Sequence, residues 1–213
     1  MSDSLNSRKT WSAAMRYLST KDRTMSKLVK KKGYVKISLH KNYYEALLRS
    51  IIYQQISGAA AASIVKRLHG VYGGNPPTPE EFLATRKSVI RAAGISPQKF
   101  SYIYDLSKKI VNGEVELKKF YKLPNETIIN ELDSIRGIGR WTAEMFLMFS
   151  LGRVDVLPFD DYGIRKSIKR VYHLRELPDK ARMKTFAARW APYNSIASIY
   201  LWEDEGVKEP KRA

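Results

Sequence analysis

The stretch Leu132-Asp133-Ser134-Ile135-Arg136-Gly137-Ile138-Gly139-Arg140-Trp141-Thr142-Ala143 decides the reading of this 213-residue chain. Before it, Ile128, Ile129, Leu132 and Ile135 recur at helical spacing behind Pro124-Asn125. After it the helical pattern resumes at Arg140 and runs to about Ser150. Two helices therefore meet across a very short connection that contains two glycines. Glycine adopts positive φ without strain and lets another backbone come close. The second helix starts at the same place, so its unpaired N–H groups and the positive end of its dipole point outward. That combination is the chemistry of a phosphate seat, and Arg136 and Arg140 add charge beside it. A plain antiparallel helix pair with a glycine turn would look similar. The pattern from Ile135 to Ala143, with Gly137, Gly139 and Thr142 at fixed offsets, is more restrictive than a lone GxG.

Outward from this hairpin the periodicity stays helical. In 41–55, Tyr44, Leu47, Leu48, Ile51, Ile52 and Gln55 fall on one stripe. Ser57 is placed to cap the next helix, whose Ala59–Ala62 run offers a small-residue surface. Gly73-Gly74-Asn75-Pro76-Pro77 is a break, and Thr78-Pro79-Glu80-Glu81 reads as a cap with proline at the first helical position. Ser96-Pro97 starts a helix through Tyr102, Ile103, Leu106 and Ile110. Three more helices are expected near 161–172, 179–190 and 194–204. Tyr34–Leu39 is the best alternating stretch, and the only strand candidate of note. The class is all-α.

Composition narrows the function. Lys and Arg number 38 against 21 Asp and Glu, a net charge of +17, while hydrophobic residues make up 44% and charged ones 28%. Such a chain builds a core, so the charge belongs to a folded surface rather than to a disordered tail. A surface this basic gains most from an anionic partner, nucleic acid first. With no Cys, disulfides, thiolate metal sites, iron–sulfur clusters and cysteine nucleophiles are excluded. No apolar run approaches the roughly 20 residues of a membrane helix, so no membrane partner is expected. The first residues, MSDSLNSRKT, lack the order of a secretory signal. His40, His69 and His173 lack metal-ligand spacing, and Lys30-Lys31-Lys32 reads first as a solvated surface, with a DNA contact or a nuclear-targeting fragment as the alternatives.

Three segments together resemble the helix-hairpin-helix DNA glycosylase superfamily, in its 3-methyladenine (alkylpurine) branch. They are Leu48-Leu-Arg-Ser-Ile-Ile-Tyr-Gln-Gln-Ile-Ser57, the hairpin Gly137-Ile-Gly-Arg-Trp-Thr-Ala143, and Asp155-Val-Leu-Pro-Phe-Asp-Asp-Tyr-Gly-Ile-Arg-Lys166. The resemblance implies a two-lobed helical fold with a DNA-facing cleft. One lobe would be 41–150 with the hairpin at 135–141, the other 1–40 plus 151–213. It further implies damaged double-stranded DNA as partner, action as a monomer, and, by likeness to fungal members, a nuclear location. No cofactor is expected beyond a sodium or potassium ion on the backbone carbonyls of Ile135 and Ile138. Gln55 would be the wedge that fills the space of a flipped base, Ser57 a minor-groove contact, and Arg136, Gly137, Gly139, Arg140 and Thr142 the backbone grip. On the residues alone, Gln55 reads first as a polar residue at a helix C-terminus that satisfies backbone carbonyls.

The resemblance places the catalytic acid at Asp161, and the chemistry supports it. Breaking an N-glycosidic bond develops positive charge on the sugar, which a carboxylate stabilises while orienting or deprotonating water. An alkylated purine already carries positive charge and leaves without strong acid help, so one aspartate suffices where ordinary glycosidases need two. Asp160 is assigned the cap of the following helix, and a helix start there favours a negative charge on Asp161. Relatives that also cut the strand carry a Schiff-base lysine where Trp141 stands; Trp cannot form one, which points to a monofunctional enzyme. A flipped, flat, cationic base calls for aromatic faces, and Tyr53, Trp141 and Trp202 are the candidates, with Trp202 equally a core residue. Met145 stands where bacterial relatives carry an aromatic ring, and Arg136 where the family usually has proline. A protein that docks on damaged DNA without excising a base is the alternative function.

Overall fold

The computed structural model describes residues 4–204; residues 1–3 and 205–213, the outer ends of the expected lobe ranges, lie outside it. Among the described residues the chain is helical with no strand, as the fold class requires. The helices are α1 (Arg8–Lys21), α2 (Arg23–Lys32), α3 (Tyr43–Tyr53), α4 (Gly58–Val71), α5 (Pro79–Ala84), α6 (Lys87–Ala92), α7 (Pro97–Val111), α8 (Asn125–Asp133), α9 (Arg140–Phe149), α10 (Tyr162–Val171), α11 (Lys180–Trp190) and α12 (Asn194–Asp204), with a 3-10 turn at Leu117–Lys122. The chain divides into two compact units. One is His40–Phe146, and the other joins the residues up to Leu39 with those from Leu147 onward.

The starts of these helices follow from local chemistry. Ser57 caps α4 by accepting from the Ala60 N–H, and Ser96 caps α7 from the Lys99 N–H. Thr78 and Glu81 form a reciprocal capping box at α5, with Pro79 in the first turn. In the His40–Phe146 unit α3 packs against α4 and α7, and α5 and α6 pack against α7. Leu47, Leu48, Ile51 and Ile52 are almost completely buried. Gln55 is not the sixth member of that stripe: α3 stops at Tyr53, and Gln55 is exposed with φ 57°.

The other unit is organised by α12, which packs against α1, α2, α10 and α11. Every residue from Asn194 to Trp202 is buried, the mark of a helix enclosed on all sides. Its serines satisfy themselves on carbonyls: Ser198 Oγ donates to Asn194 (2.9 Å) and Ser195 Oγ to Arg153 (2.7 Å). Helices α1 and α2 carry no assignment from the sequence, although Trp11, Ala14 and Leu18 form a buried stripe among the charges. Tyr34–Leu39 is not a strand. It has no regular structure, and only Ile37 is buried. Lys31 and Lys32 meet the acidic end of α12, Lys31 with Asp204 at 2.8 Å and Lys32 with Glu203 at 3.6 Å.

Asp22 ties several elements of this unit together. Its Oδ1 accepts from the Thr24 and Met25 N–H groups (2.9 and 3.1 Å), capping α2. Its Oδ2 accepts from Tyr172 Oη (2.6 Å), Arg189 Nη1 (3.1 Å) and Trp190 Nε1 (3.2 Å). Burial pushes the carboxyl up, but the bonds from Tyr172, Met25, Trp190 and Arg189 outweigh it and hold it below its ordinary value. The native state then binds fewer protons than the unfolded chain, so this stabilisation is present above the unfolded pKa, about 3.9, and is lost as pH falls through the folded value. Asp22→Asn is expected to cost about 1–3 kcal/mol at pH 7. The variant should also flatten the decline in stability between pH 5 and pH 3, as read by urea melts.

Candidate functional site

The two segments that carry the expected chemistry lie one in each unit. In the α12 unit, Asp161 terminates a turn closed by its own N–H on the Pro158 carbonyl (3.2 Å) and caps α10. Its Oδ1 accepts from the Ile164 N–H at 2.8 Å and from Trp202 Nε1 at 3.0 Å. The capping assignment to Asp160 is thereby corrected. Asp160 is exposed, and the extended backbone at Asp161 (φ −67°, ψ 115°) makes Asp161 the cap. The cap is thus the same buried carboxylate that the resemblance makes the candidate acid. Gly163 permits this: a Cβ there would lie 3.2 Å from Asp161 Oδ1 and 3.5 Å from the Trp202 ring.

The approach segment is fixed from the start of α12. Asn194 Nδ2 donates to Asp155 Oδ1 (2.6 Å), the Ser195 N–H to the Val154 carbonyl (2.9 Å), and the Val156 N–H to Ser195 Oγ (3.0 Å). The helix that supplies Trp202 therefore also sets the course of the chain toward Asp161. Trp202 is 2% exposed with Phe149 tilted against its ring at 6.1 Å, so its indole edge orients the acid and its faces are packed. Beyond Asp161, Tyr162 is 65% exposed and Lys166, Lys169, Arg170 and His173 border a groove of about 560 Å³ on α10. A groove with such a rim suits an anion.

In the His40–Phe146 unit the hairpin is seated on α7. Gly137 adopts φ +81°, the left-handed region, and a Cβ there would fall 2.1 Å from Tyr102 Cδ2. The Arg136 N–H donates to Asp105 Oδ2 (3.0 Å), Arg136 Nε lies 3.5 Å from Asp105 Oδ1, and Lys109 Nζ donates to the Ser134 carbonyl (2.6 Å). The two glycines differ. Gly139 lacks a left-handed φ, and nothing lies within 4 Å of where its Cβ would stand. Arg140 at the start of α9 is held between carboxylates, with Glu126 at 2.6 Å and Glu144 at 3.1 Å. The Arg140 bond keeps Glu126 below the ordinary carboxylate range. A phosphate reaching Arg140 has to compete with Glu126, the more exposed partner. Thr142 is 8% exposed, so a backbone grip there falls to its amide in the first turn rather than to its hydroxyl.

The loop after α3 is tied to this hairpin. Gln54 Nε2 donates to the Gly137 carbonyl (2.7 Å), and Lys99 Nζ donates to the carbonyls of Ile52 (2.6 Å) and Gln54 (2.8 Å). Gln55, Ile56 and Ser57 are the exposed tip. Of the remaining pocket candidates, Trp141 is 43% exposed and Met145 is half-buried. Tyr53 is half-buried too, with the Arg49 guanidinium 5.6 Å from its ring centroid. The sequence reading missed Gln54, Lys99, Asp105, Gly163 and the exposed Tyr162, and took Tyr102 for an ordinary core position of its helix. Lys99, Tyr102 and Lys109 recur at helical spacing on one side of α7, a signal that counting apolar residues alone passes over.

The chain is similar to known DNA repair proteins. The model of the HhH-GPD superfamily base excision DNA repair protein family matches residues 48–192. DNA-3-methyladenine glycosylase 1 of Schizosaccharomyces pombe is 34% identical over 192 residues, covering 88% of this chain and 84% of that protein. The alkylbase DNA glycosidase-like protein mag2 of the same yeast is 31% identical over 195 residues, covering 89% and 92%. The solved structure of S. pombe 3-methyladenine DNA glycosylase (Mag1) in complex with abasic DNA matches with a TM-score of 0.80 at 33% identity, over 92% of this chain and 98% of that one.

Proposed function

This chain belongs to the HhH-GPD superfamily of base excision DNA repair proteins, and from that premise we propose that it is a monofunctional DNA glycosylase that flips alkylated purines out of duplex DNA and hydrolyses their N-glycosidic bond. The observation that carries the reading is the buried Asp161 carboxylate, oriented through one oxygen by the Ile164 N–H and the Trp202 indole. Two donors offset the cost of burying the acid and fix its plane.

The reaction follows from that acid. As the bond between C1′ and the purine nitrogen lengthens, its electron pair moves onto the base and cancels the positive charge that alkylation placed there. The sugar becomes oxocarbenium-like, and the Asp161 carboxylate stabilises it. Water adds to C1′, and its proton passes to the carboxylate. Trp141, in the place of a Schiff-base lysine, offers no amine to attack C1′, so the product is an abasic site in an uncut strand. Gly137, Gly139 and the start of α9 take the phosphate backbone, and Gln55 enters the stack from its exposed loop. Sodium or potassium on the Ile135 and Ile138 carbonyls belongs to the same proposal. Oxygen donors suit such ions, and the Ile138 N–H on the Ile135 carbonyl (3.0 Å) fixes that turn. Action as a monomer, in the nucleus, on damaged duplex belongs to it as well.

The test is chromatography of bases released from methylated duplex DNA, with 3-methyladenine and 7-methylguanine expected. Absence of any free base, with selective retention of a duplex holding an abasic-site analogue, would favour a damage-binding protein. Binding itself should depend strongly on salt. Neutralising roughly five phosphates gives a log–log slope near −4.5, or a loss of about 500-fold between 50 and 200 mM salt. A slope near zero, read by fluorescence anisotropy, would remove the backbone grip from the account.

A further inference from the structure

We propose that Lys99 is a positioning residue that, together with Gln54, locks the wedge loop to the same face of α7 that seats the phosphate-binding hairpin. This deepens the glycosylase reading above and rests on it. The end of α3 leaves carbonyls without helical partners, as every helix end does. Here an ammonium supplies them: Lys99 Nζ reaches the Ile52 carbonyl at 2.6 Å and the Gln54 carbonyl at 2.8 Å, on either side of Tyr53. Gln54 then turns its own amide onto the Gly137 carbonyl at 2.7 Å. The next residue, Gln55, stands at φ 57°, a conformation that a side chain with a Cβ keeps only when its surroundings impose it.

The brace and the hairpin share one support. From the same helix, the Tyr102 ring lies beneath Gly137, Asp105 accepts the Arg136 N–H at 3.0 Å, and Lys109 holds the Ser134 carbonyl at 2.6 Å. One helix therefore fixes the grip and the wedge relative to each other. A loop free to choose its conformation would have to be ordered each time it entered the stack, whereas a preset loop avoids that cost. Burial lowers the Lys99 pKa, which accords with an ammonium drawn into the protein to make these bonds rather than left in water to meet phosphate.

The prediction concerns duplex DNA, where a wedge has a partner strand to part. Lys99→Met keeps the length of the stem and removes the donors; Lys99→Arg keeps donors. Single-turnover release would be measured from one alkylated base, placed in a duplex and in the same oligonucleotide as a single strand. The duplex rate of Lys99→Met should fall on the order of 10- to 100-fold, with the single-strand rate within about 2-fold and Lys99→Arg recovering most of the loss. Equal losses on both substrates, or no loss on duplex, would overturn the proposal. Gln54→Leu should show the same duplex-selective loss and serves if Lys99→Met fails to fold. If the wild type released no base, the glycosylase reading would fail separately. Wedge entry would then be read by 2-aminopurine fluorescence opposite an abasic analogue, with a weaker signal expected for Gln54→Leu and an unchanged one counting against the brace.

Discussion

Asp161→Asn should lower the single-turnover rate of base release by about 10²- to 10⁴-fold while the protein stays folded. The substitution keeps the shape of the side chain and an oxygen at Oδ1, so the Ile164 N–H at 2.8 Å and the Trp202 indole at 3.0 Å retain an acceptor. What disappears is the negative charge beside the developing oxocarbenium ion and the acceptor for the water proton. DNA affinity should hold or rise, since a negative charge is removed from a protein that binds a polyanion. Trp202→Phe is the milder companion. It leaves the charge, removes one donor that orients it, and should cost about 10-fold in rate, the size of one hydrogen bond to a charged group. Full activity in Asp161→Asn would mean that another group does the chemistry.

Gly137→Ala should be the most damaging single change in the hairpin, for two independent reasons. The backbone there has φ +81°, and the new methyl would lie 2.1 Å from Tyr102 Cδ2 and 2.4 Å from Cγ. The clash falls on Cγ and Cδ2, the base of the ring next to the α7 backbone, where the side chain has little room to swing away. Strain and overpacking together are expected to cost about 2–4 kcal/mol of stability. Affinity for abasic-analogue duplex should fall with it, because the displaced turn carries the proposed phosphate seat. Gly139→Ala separates the two effects. No atom lies within 4 Å of its Cβ position, so the melting temperature should hold while the methyl obstructs an approaching phosphate. If both variants lost stability equally and bound DNA equally, the hairpin would be a structural turn only.

Much of this was legible in the sequence because the signals were local. Gly137 marked a turn, and Ser57, Thr78 and Ser96 marked helix starts. The misreadings also have local causes. Asp160 and Asp161 are chemically equivalent as caps, and only the Pro158–Asp161 turn decides between them. Gln55 continued the α3 stripe in register, but the chain leaves the helix at Gln54 and no periodicity reports that. Helices α1 and α2 were hidden because their apolar positions are diluted by lysine and arginine. The brace from Lys99 to the Ile52 and Gln54 carbonyls is a long-range bond between a lysine and main-chain atoms. A lysine in sequence gives no sign of which carbonyl it will meet. Arg140 shows the same limit: its charge suggested a phosphate, and its pairing with Glu126 and Glu144 in the folded chain is not readable from its spacing alone.

The most direct test is to incubate excess wild-type protein with methylated duplex DNA and follow both the free base and the integrity of the strand. The account predicts release of methylated purine with the strand intact until alkali cleaves it at the abasic site, as expected for a hydrolase with Asp161 and with Trp141 in the lyase position. Cleavage of the strand without alkali would contradict the monofunctional assignment. Tight binding to the same DNA with no free base would contradict the catalytic one.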